Sequence, residues 1–365
     1  MSDSYDFAVR RDDMRETSVL ETPGADREID EGQILLEVDH FSLTANNVTY
    51  GAMGEAMNYW DFYPAEDDSL GRIPAWGYAD VVVSKAEGIE EGARVFGSLP
   101  MSTHAVLEPG RIRGSGFTDI TGYRSGLPAV YNEYRLITGE KDDERERLVA
   151  IFMPLYGTSW LLADWLNEVD FAGASQLVAS SASSKTALGL GHALQVDFDN
   201  PIETVGLTSP GNVAFCESLG CYSRVLTYDQ LDQIGADTPC AYVDFAGNGG
   251  LRLQIHTRFT ALRYSCSIGG THVTQLAGAK DLPGPRATLF FAPAQIKKRT
   301  TEWGGAELGK RLVMAWRAFA SRVHQPAAPW MTVEHHRGPS AVQDAYNQVL
   351  AGRGDPRLGH MLSML

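Results

Sequence analysis

Cysteine, long apolar runs and positive charge are all scarce in this chain, and each shortage closes off a class of function. Four cysteines, Cys216, Cys221, Cys240 and Cys266, lie in the middle of the 365 residues with neither a CxxC pair nor a regular spacing. They read as reduced, partly buried thiols, not as a disulfide framework. No apolar run approaches the roughly 20 residues of a membrane span, and the stretch from Met1 to Asp13 is too polar for a signal peptide, so a cytoplasmic protein with no membrane partner is expected. With 31 basic against 46 acidic residues the formal net charge is -15, which argues against a nucleic-acid or anionic-membrane partner, since either would want a basic face. No Ser-His-Asp grouping offers a hydrolase centre, and no repeat or low-complexity tract interrupts the chain.

What is present is an ordinary globular composition, 44% hydrophobic and 21% charged, on a chain long enough for two domains. The first part reads as short strands separated by turns, at Ile34 to Val38, Tyr78 to Ser84 and Ala93 to Gly97, which suggests a small β-barrel. Between Asn46 and Gly77 runs an aromatic-rich connection with Tyr50, Tyr59, Trp60, Phe62, Tyr63 and Trp76, too apolar for a solvated loop and suited to lining a pocket. The charged patch from Gly139 to Arg147 reads as a solvated turn or helix start and marks a domain boundary. Beyond it strand-like and helix-like stretches alternate, which predicts a parallel sheet with right-handed crossovers. A long amphipathic helix from Glu307 to Val323, a strand-like Trp330 to His336, a helix from Ser340 and a last apolar segment from Gly359 follow.

Glycine is missing where it would be most informative. The stretch Gln176 to Leu194 reads as strand, turn and helix, the unit that holds a pyrophosphate in dinucleotide-binding folds, yet its turn carries Ser180, Ser181, Ser183, Ser184 and Thr186 with Lys185 among them. Hydroxyl donors, a cation and a helix N-terminus still suit an anion. Two other readings stay open. The hydroxyls can simply cap the helix, or Ser184-Lys185-Thr186 can be the remnant of a nucleotide triphosphate loop, for which Asp244 would be the magnesium ligand.

Barrel first, doubly wound sheet second and a return to the barrel resemble the medium-chain dehydrogenase/reductase superfamily, and within it the zinc-free quinone oxidoreductase and enoyl reductase branch. The resemblance covers nearly the whole chain and rests on Gly92-ARVFG, the turn Ser180 to Thr186, Glu217-SLG with Tyr228 after it, Val243-DFAGN and Gly352-RGDPRLGH. The combination of SSASSKTA, GLTSxxN, THV and FFAP is similar to a bacterial subfamily of unknown function. The resemblance implies an α/β protein with a GroES-like β-barrel domain, residues 1–145, a Rossmann doubly wound parallel-sheet domain, 146–323, and a C-terminal return to the first domain, 324–365. It also implies a homodimer formed through the sheet edge of the nucleotide domain.

The same resemblance implies a cofactor. NAD-preferring relatives end the second strand with an acid that binds the ribose hydroxyls, whereas here Thr208, Ser209 and Asn212 stand there and can donate to a 2′-phosphate. Tyr228 matches a tyrosine that often faces that phosphate, and NADPH is the expected cofactor. Gly247 and Asn248, and Gly269, Gly270 and Thr271, follow two later strands at their ligand-facing ends. In zinc-dependent members a Cys stands at Thr44 and a His near Trp76, and the structural-zinc cluster has no counterpart before Cys216, so no metal is expected. His40, His104, His335 and His336 are conceivable ligands that read more simply as surface or hydrogen-bonded residues.

Without a metal, hydroxyl and amide groups must polarise the acceptor. Asn47, as carbonyl or ribose anchor, and Tyr50, as donor or proton source, are the catalytic candidates, with Thr44, Tyr59, Trp60, Trp76 and Tyr156 in the substrate pocket and Thr158 beside Tyr156. An aromatic wall favours a flat conjugated carbonyl or quinone. The alternative is a non-catalytic NADPH-binding sensor or interaction protein on the same fold.

Overall fold

The structure is a computed structural model that describes residues 4–198, 202–268, 282–325, 329–352 and 354–365. Along the chain the first strands are β1 (Tyr5–Arg10), β2 (Thr17–Glu21) and β3 (Ile34–Leu43), followed by α1 (Ala45–Ala52), β4 (Leu70–Gly71), β5 (Pro74–Ser84), β6 (Arg94–Pro100), β7 (His104–Leu107), β8 (Pro109–Arg113), β9 (Gly116–Asp119) and β10 (Glu133–Ile137). After α2 (Asp143–Glu168) strand and helix alternate through β11 (Gln176–Ala179), α3 (Lys185–Val196), β12 (Glu203–Thr208), α4 (Val213–Leu219), β13 (Arg224–Thr227), β14 (Cys240–Asp244), α5 (Gly249–Arg258), β15 (Leu262–Ser267) and β16 (Thr288–Leu289). Then come α6 (Ala292–Trp303), α7 (Gly305–Val323), β17 (Thr332–Arg337), α8 (Pro339–Leu350) and β18 (Leu358–Ser363).

Two compact units result, residues 1–151 with 332–365 and residues 152–331. The first division falls inside α2, between Ile151 and Phe152, several residues after the expected boundary at 145, and the second lies at 331 instead of 323. The charged patch expected to be solvated is in part interior. Glu146 is buried in the first turns of α2, where Arg94 reaches it at 2.7 Å while also binding Asp39 and Asp80.

In unit 1 the strands run in the order β17-β18-β3-β5-β6-β10-β9-β8, with β7 also on β3, and a smaller sheet has the order β2-β1-β4. Ile34, Leu36 and Val38 of β3 and Ala79 and Val81 of β5 enter a core with Phe62, Leu99 and Phe117 at the two-residue period of a strand, and a register shift between Val38 and His40 brings Phe41 and Leu43 into the same core. The last residues of the chain return here, because β18 pairs antiparallel with β3 and parallel with β17.

In unit 2 a parallel sheet has the order β13-β12-β11-β14-β15-β16, the arrangement in which the chain reverses its progress across the sheet beside the first strand. Its central strands are continuously apolar, Leu177, Val178, Val205, Leu207, Ala241, Tyr242 and Val243 being buried, as strands covered on both faces must be. α2 is long and apolar enough for a membrane span, contrary to the expectation from the apolar runs, but 61% of its most apolar stretch is buried inside the fold. Its buried Asp164 is held by Arg299 and Gln295, a satisfied carboxylate that lipid would not provide.

His192 on α3 shows how tightly this unit is packed. Its ring lies edge-on to Phe319, and burial, with Arg322 adding to it, pulls its pKa down to about 4. The unfolded chain therefore takes up a proton near pH 6.5 that the folded chain refuses, so stability falls as pH drops from about 6.5 to 4. In a His192→Asn variant that part of the pH slope, of order 2–3 kcal/mol, is expected to vanish; thermal melts across this range check it, and an unchanged slope would refute it.

Candidate nucleotide turn and aromatic site

The end of β11 lies beside β12 on one side and β14 on the other, the switch point at which open α/β sheets bind ligands beyond their carboxyl ends. The turn Ser180 to Ser184 occupies it. Ser181 holds φ at 48°, in the left-handed region that favours glycine, so the backbone path of a glycine turn persists without glycine. The Ser184 amide closes the turn on the Ser181 carbonyl at 2.8 Å, and the Ser184 hydroxyl caps α3 by accepting from the Ala187 amide.

The hydroxyls expected to share one ligand divide into different tasks. Ser180 is buried; its Oγ donates to Asp244 and accepts from the Phe245 and Ala246 amides, so it ties two strand ends together. Ser183 is half-buried, and its Oγ accepts from both Thr208 at 3.3 Å and Asn212 at 3.2 Å. Tyr228 accepts from the Ser181 amide at 3.1 Å. A hydroxyl that accepts still has its own proton to give, so Ser183 and Tyr228 each keep a donor at the turn. Thr186 turns its carbonyl to the Ser159 hydroxyl, and Lys185 begins α3 half-buried.

Thr208 is buried and Ser209 exposed, and no carboxylate occurs from Thr208 to Asn212. Gly247, at φ 66°, gives its amide to Asp244, while Asn248 caps α5. Gly269, Gly270 and Thr271 lie outside the described residues. The donor set therefore fits a phosphate-bearing ligand: two unspent hydroxyl protons, a cation and the N-terminus of a 12-residue helix. The triphosphate-loop reading fails on Asp244, whose Oδ2 is taken by Arg252 at 2.7 Å with both side chains buried.

Sequence reasoning missed Tyr222. Its hydroxyl donates to the Ala182 carbonyl at 2.9 Å, and its ring lies where a Cβ on Gly206 would meet it at 3.0 Å. A glycine inside a buried strand was the available signal, since it marks a close approach.

In unit 1 the segment expected to be a connection is the helix α1. Thr44 is its N-cap and Asn47 completes a capping box, accepting from the Thr44 amide at 2.8 Å while its Nδ2 donates to the Pro74 carbonyl at 2.8 Å. The amide expected to anchor a ligand is thus engaged at both ends by the fold. Tyr50 lies on the same helix, accepting from the Trp76 indole at 3.3 Å, and burial raises its pKa, so the phenol stays protonated.

Tyr59 meets Tyr50 edge-on at 5.3 Å, and Tyr131 meets both at 5.9 Å. Trp76, half-buried, stacks on Phe96. Tyr131 had no local signal, because it comes from a turn far along the chain. Trp60 does not share this face; its ring fills the space over Gly54 and Gly71. Tyr156, expected in the same pocket, belongs to the packing of unit 2, where its hydroxyl donates to Asp197 at 2.8 Å and its ring stacks on Phe319 at 4.2 Å. Thr158 bonds back to the Pro154 carbonyl.

Among solved structures the chain resembles CurA from Vibrio vulnificus, at 12% identity and a TM-score of 0.62 over 99% of both chains. The NADPH complex of that protein matches at 12% identity and 0.59, over 96% of this chain and 94% of that one. A mutant form of enoyl thioester reductase from Candida tropicalis matches at 10% identity and 0.57 over the whole of both chains. These likenesses show the fold, an α/β architecture of GroES-like and Rossmann domains. No curated protein matches the sequence. Residues 41–355 match the family described as protein of unknown function (DUF2855), and to that family the chain belongs.

Proposed function

We propose that the protein is an NADPH-dependent, zinc-independent reductase of α,β-unsaturated carbonyls or quinones. The observation that carries this reading is the polar cluster of the Ser183 and Thr208 hydroxyls and the Asn212 amide beside Tyr228 at the switch point, with donors to spare and no carboxylate to repel a 2′-phosphate. Lys185 and the α3 N-terminus would balance the pyrophosphate. Bound NADPH would supply reducing equivalents from its nicotinamide ring.

Tyr50 holds a proton that its buried setting keeps on the phenol, and this proton serves an acceptor oxygen as charge develops there. Tyr59, Tyr131 and Trp76 offer flat apolar faces to a conjugated acceptor. Thr44 and Trp76 in place of a Cys and a His leave that position without the soft and imidazole donors of a catalytic zinc site. A homodimer is part of the proposal, favoured by the edge strand β16, where Leu289 is 56% exposed.

The test is stopped-flow oxidation of NADPH against a panel of enones and quinones, with calorimetry for binding. Tyr50→Phe is expected to lower kcat by about 10²–10⁴-fold with the NADPH Kd unchanged. Tight binding with no turnover of any acceptor would favour the second reading, a nucleotide-binding sensor, which the bonds of Asn47 to its own helix cap and to the Pro74 carbonyl support.

A further inference from the structure

Strands β17 and β18 run parallel with Glu334 opposite His360. Glu334 and His336, two residues apart, project from one face of β17, and the three side chains converge. His336 Nε2 lies 3.1 Å from His360 Nδ1, and a Glu334 carboxylate oxygen lies 3.9 Å from the first and 3.8 Å from the second. We propose that Glu334, His336 and His360 form a binding site for a divalent first-row transition-metal ion, zinc being the representative case.

The spacing suits the chemistry. Ligand atoms about 2.0–2.2 Å from a tetrahedral zinc lie about 3.4 Å from one another, and the three separations bracket that value. Two imidazoles and one carboxylate form a donor set for zinc and its neighbours in the series, whereas calcium and magnesium want oxygen alone. A metal ion would take one lone pair from each ring and one from the carboxylate. His360 is buried and holds the floor, His336 is half-buried and Glu334 is exposed, so the open side faces solvent.

A second convergent group, Asp39, His40 and Glu146, shows what disqualifies a site. There the Arg94 guanidinium touches both carboxylates at 2.7 Å and Lys141 reaches Asp39 at 2.8 Å, so fixed cations already stand in place of a metal. Glu334, among the described residues, has ion-pair partners only in the two histidines.

The experiment uses the full chain, freed of metal with a chelator and titrated with Zn²⁺ by calorimetry and with Co²⁺ by its visible ligand-field bands. One equivalent is expected to bind, and Zn²⁺ is expected to raise the Tm. Glu334→Gln and His336→Ala should each raise the Kd at least about 10-fold, since even outer-shell partners of metal ligands cost that much, and should abolish the Co²⁺ bands. His335→Ala, off that face of the strand, should change neither. The proposal is overturned if no stoichiometric binding occurs, or if the two variants bind like the wild type. Both substituted residues are at least partly exposed, and a far-ultraviolet spectrum of each variant separates lost binding from lost folding.

Discussion

Arg124→Met is expected to destabilise unit 1 by about 3–5 kcal/mol, the usual cost of breaking a buried ion pair by removing one partner. Arg124 and Asp119 are completely buried side chains 2.8 Å apart. The guanidinium also donates to the Tyr63 and Tyr134 hydroxyls and to the Tyr131 carbonyl, while Asp119 accepts from Thr121 and the Glu108 amide. Methionine supplies none of these donors and leaves the carboxylate without a counter-charge. The double variant Arg124→Met/Asp119→Leu should recover part of the loss, because the charge left behind is the larger penalty. Urea titration checks it through a lowered midpoint at unchanged slope; a change below about 1 kcal/mol would show that the pair matters little. The bond to Tyr131 also links this core to the site, since the ring of that residue stands edge-on to Tyr50.

The second large effect belongs to unit 2. Asp244→Asn is expected to cost about 3–5 kcal/mol and to weaken nucleotide binding together with stability. Five donors converge on the Asp244 carboxylate: Ser180 and the Ala246 and Gly247 amides on one oxygen, two Arg252 nitrogens on the other. An amide of the same shape offers one acceptor and one donor, so Arg252 meets an N–H and is left charged and unpaired in the interior. Ser180 then loses its fixed orientation at the start of the turn. Calorimetric melting is the measurement. A melting profile that matches the wild type, or a loss not partly reversed in Asp244→Asn/Arg252→Met, would contradict this account.

Much of the architecture was legible in the residues. The alternation of apolar strand and helix after residue 170 predicts a parallel sheet because a two-sided sheet demands continuous apolar strands, and Leu177, Val178, Val205 and Val243 are buried accordingly. The Ser180 to Thr186 turn was legible as a strand-to-helix junction for the same local reason, and Ser184 caps the helix that the hydroxyl signals. The candidate site was less so. Asn47 read as a free amide because capping-box partners and the Pro74 carbonyl, 27 residues on, are not visible in a linear string. Tyr156 read as a cleft residue because its partners, Asp197 at the end of α3 and Phe319 on α7, lie far along the chain.

By itself the sequence determined the alternation of strand and helix in the second unit, the order of barrel, sheet and return, and the absence of a carboxylate after β12, since propensity, period and composition are local properties. Tertiary structure alone decided which polar groups remain available. Ser183 and Tyr228 keep protons because particular neighbours donate to them, Asp244 is spent on Arg252, and Glu334, His336 and His360 meet only because two strands that enclose a helix lie side by side. A hydrogen bond depends on distance and direction over a few ångströms, and residues remote in the chain reach those distances only once the core has packed.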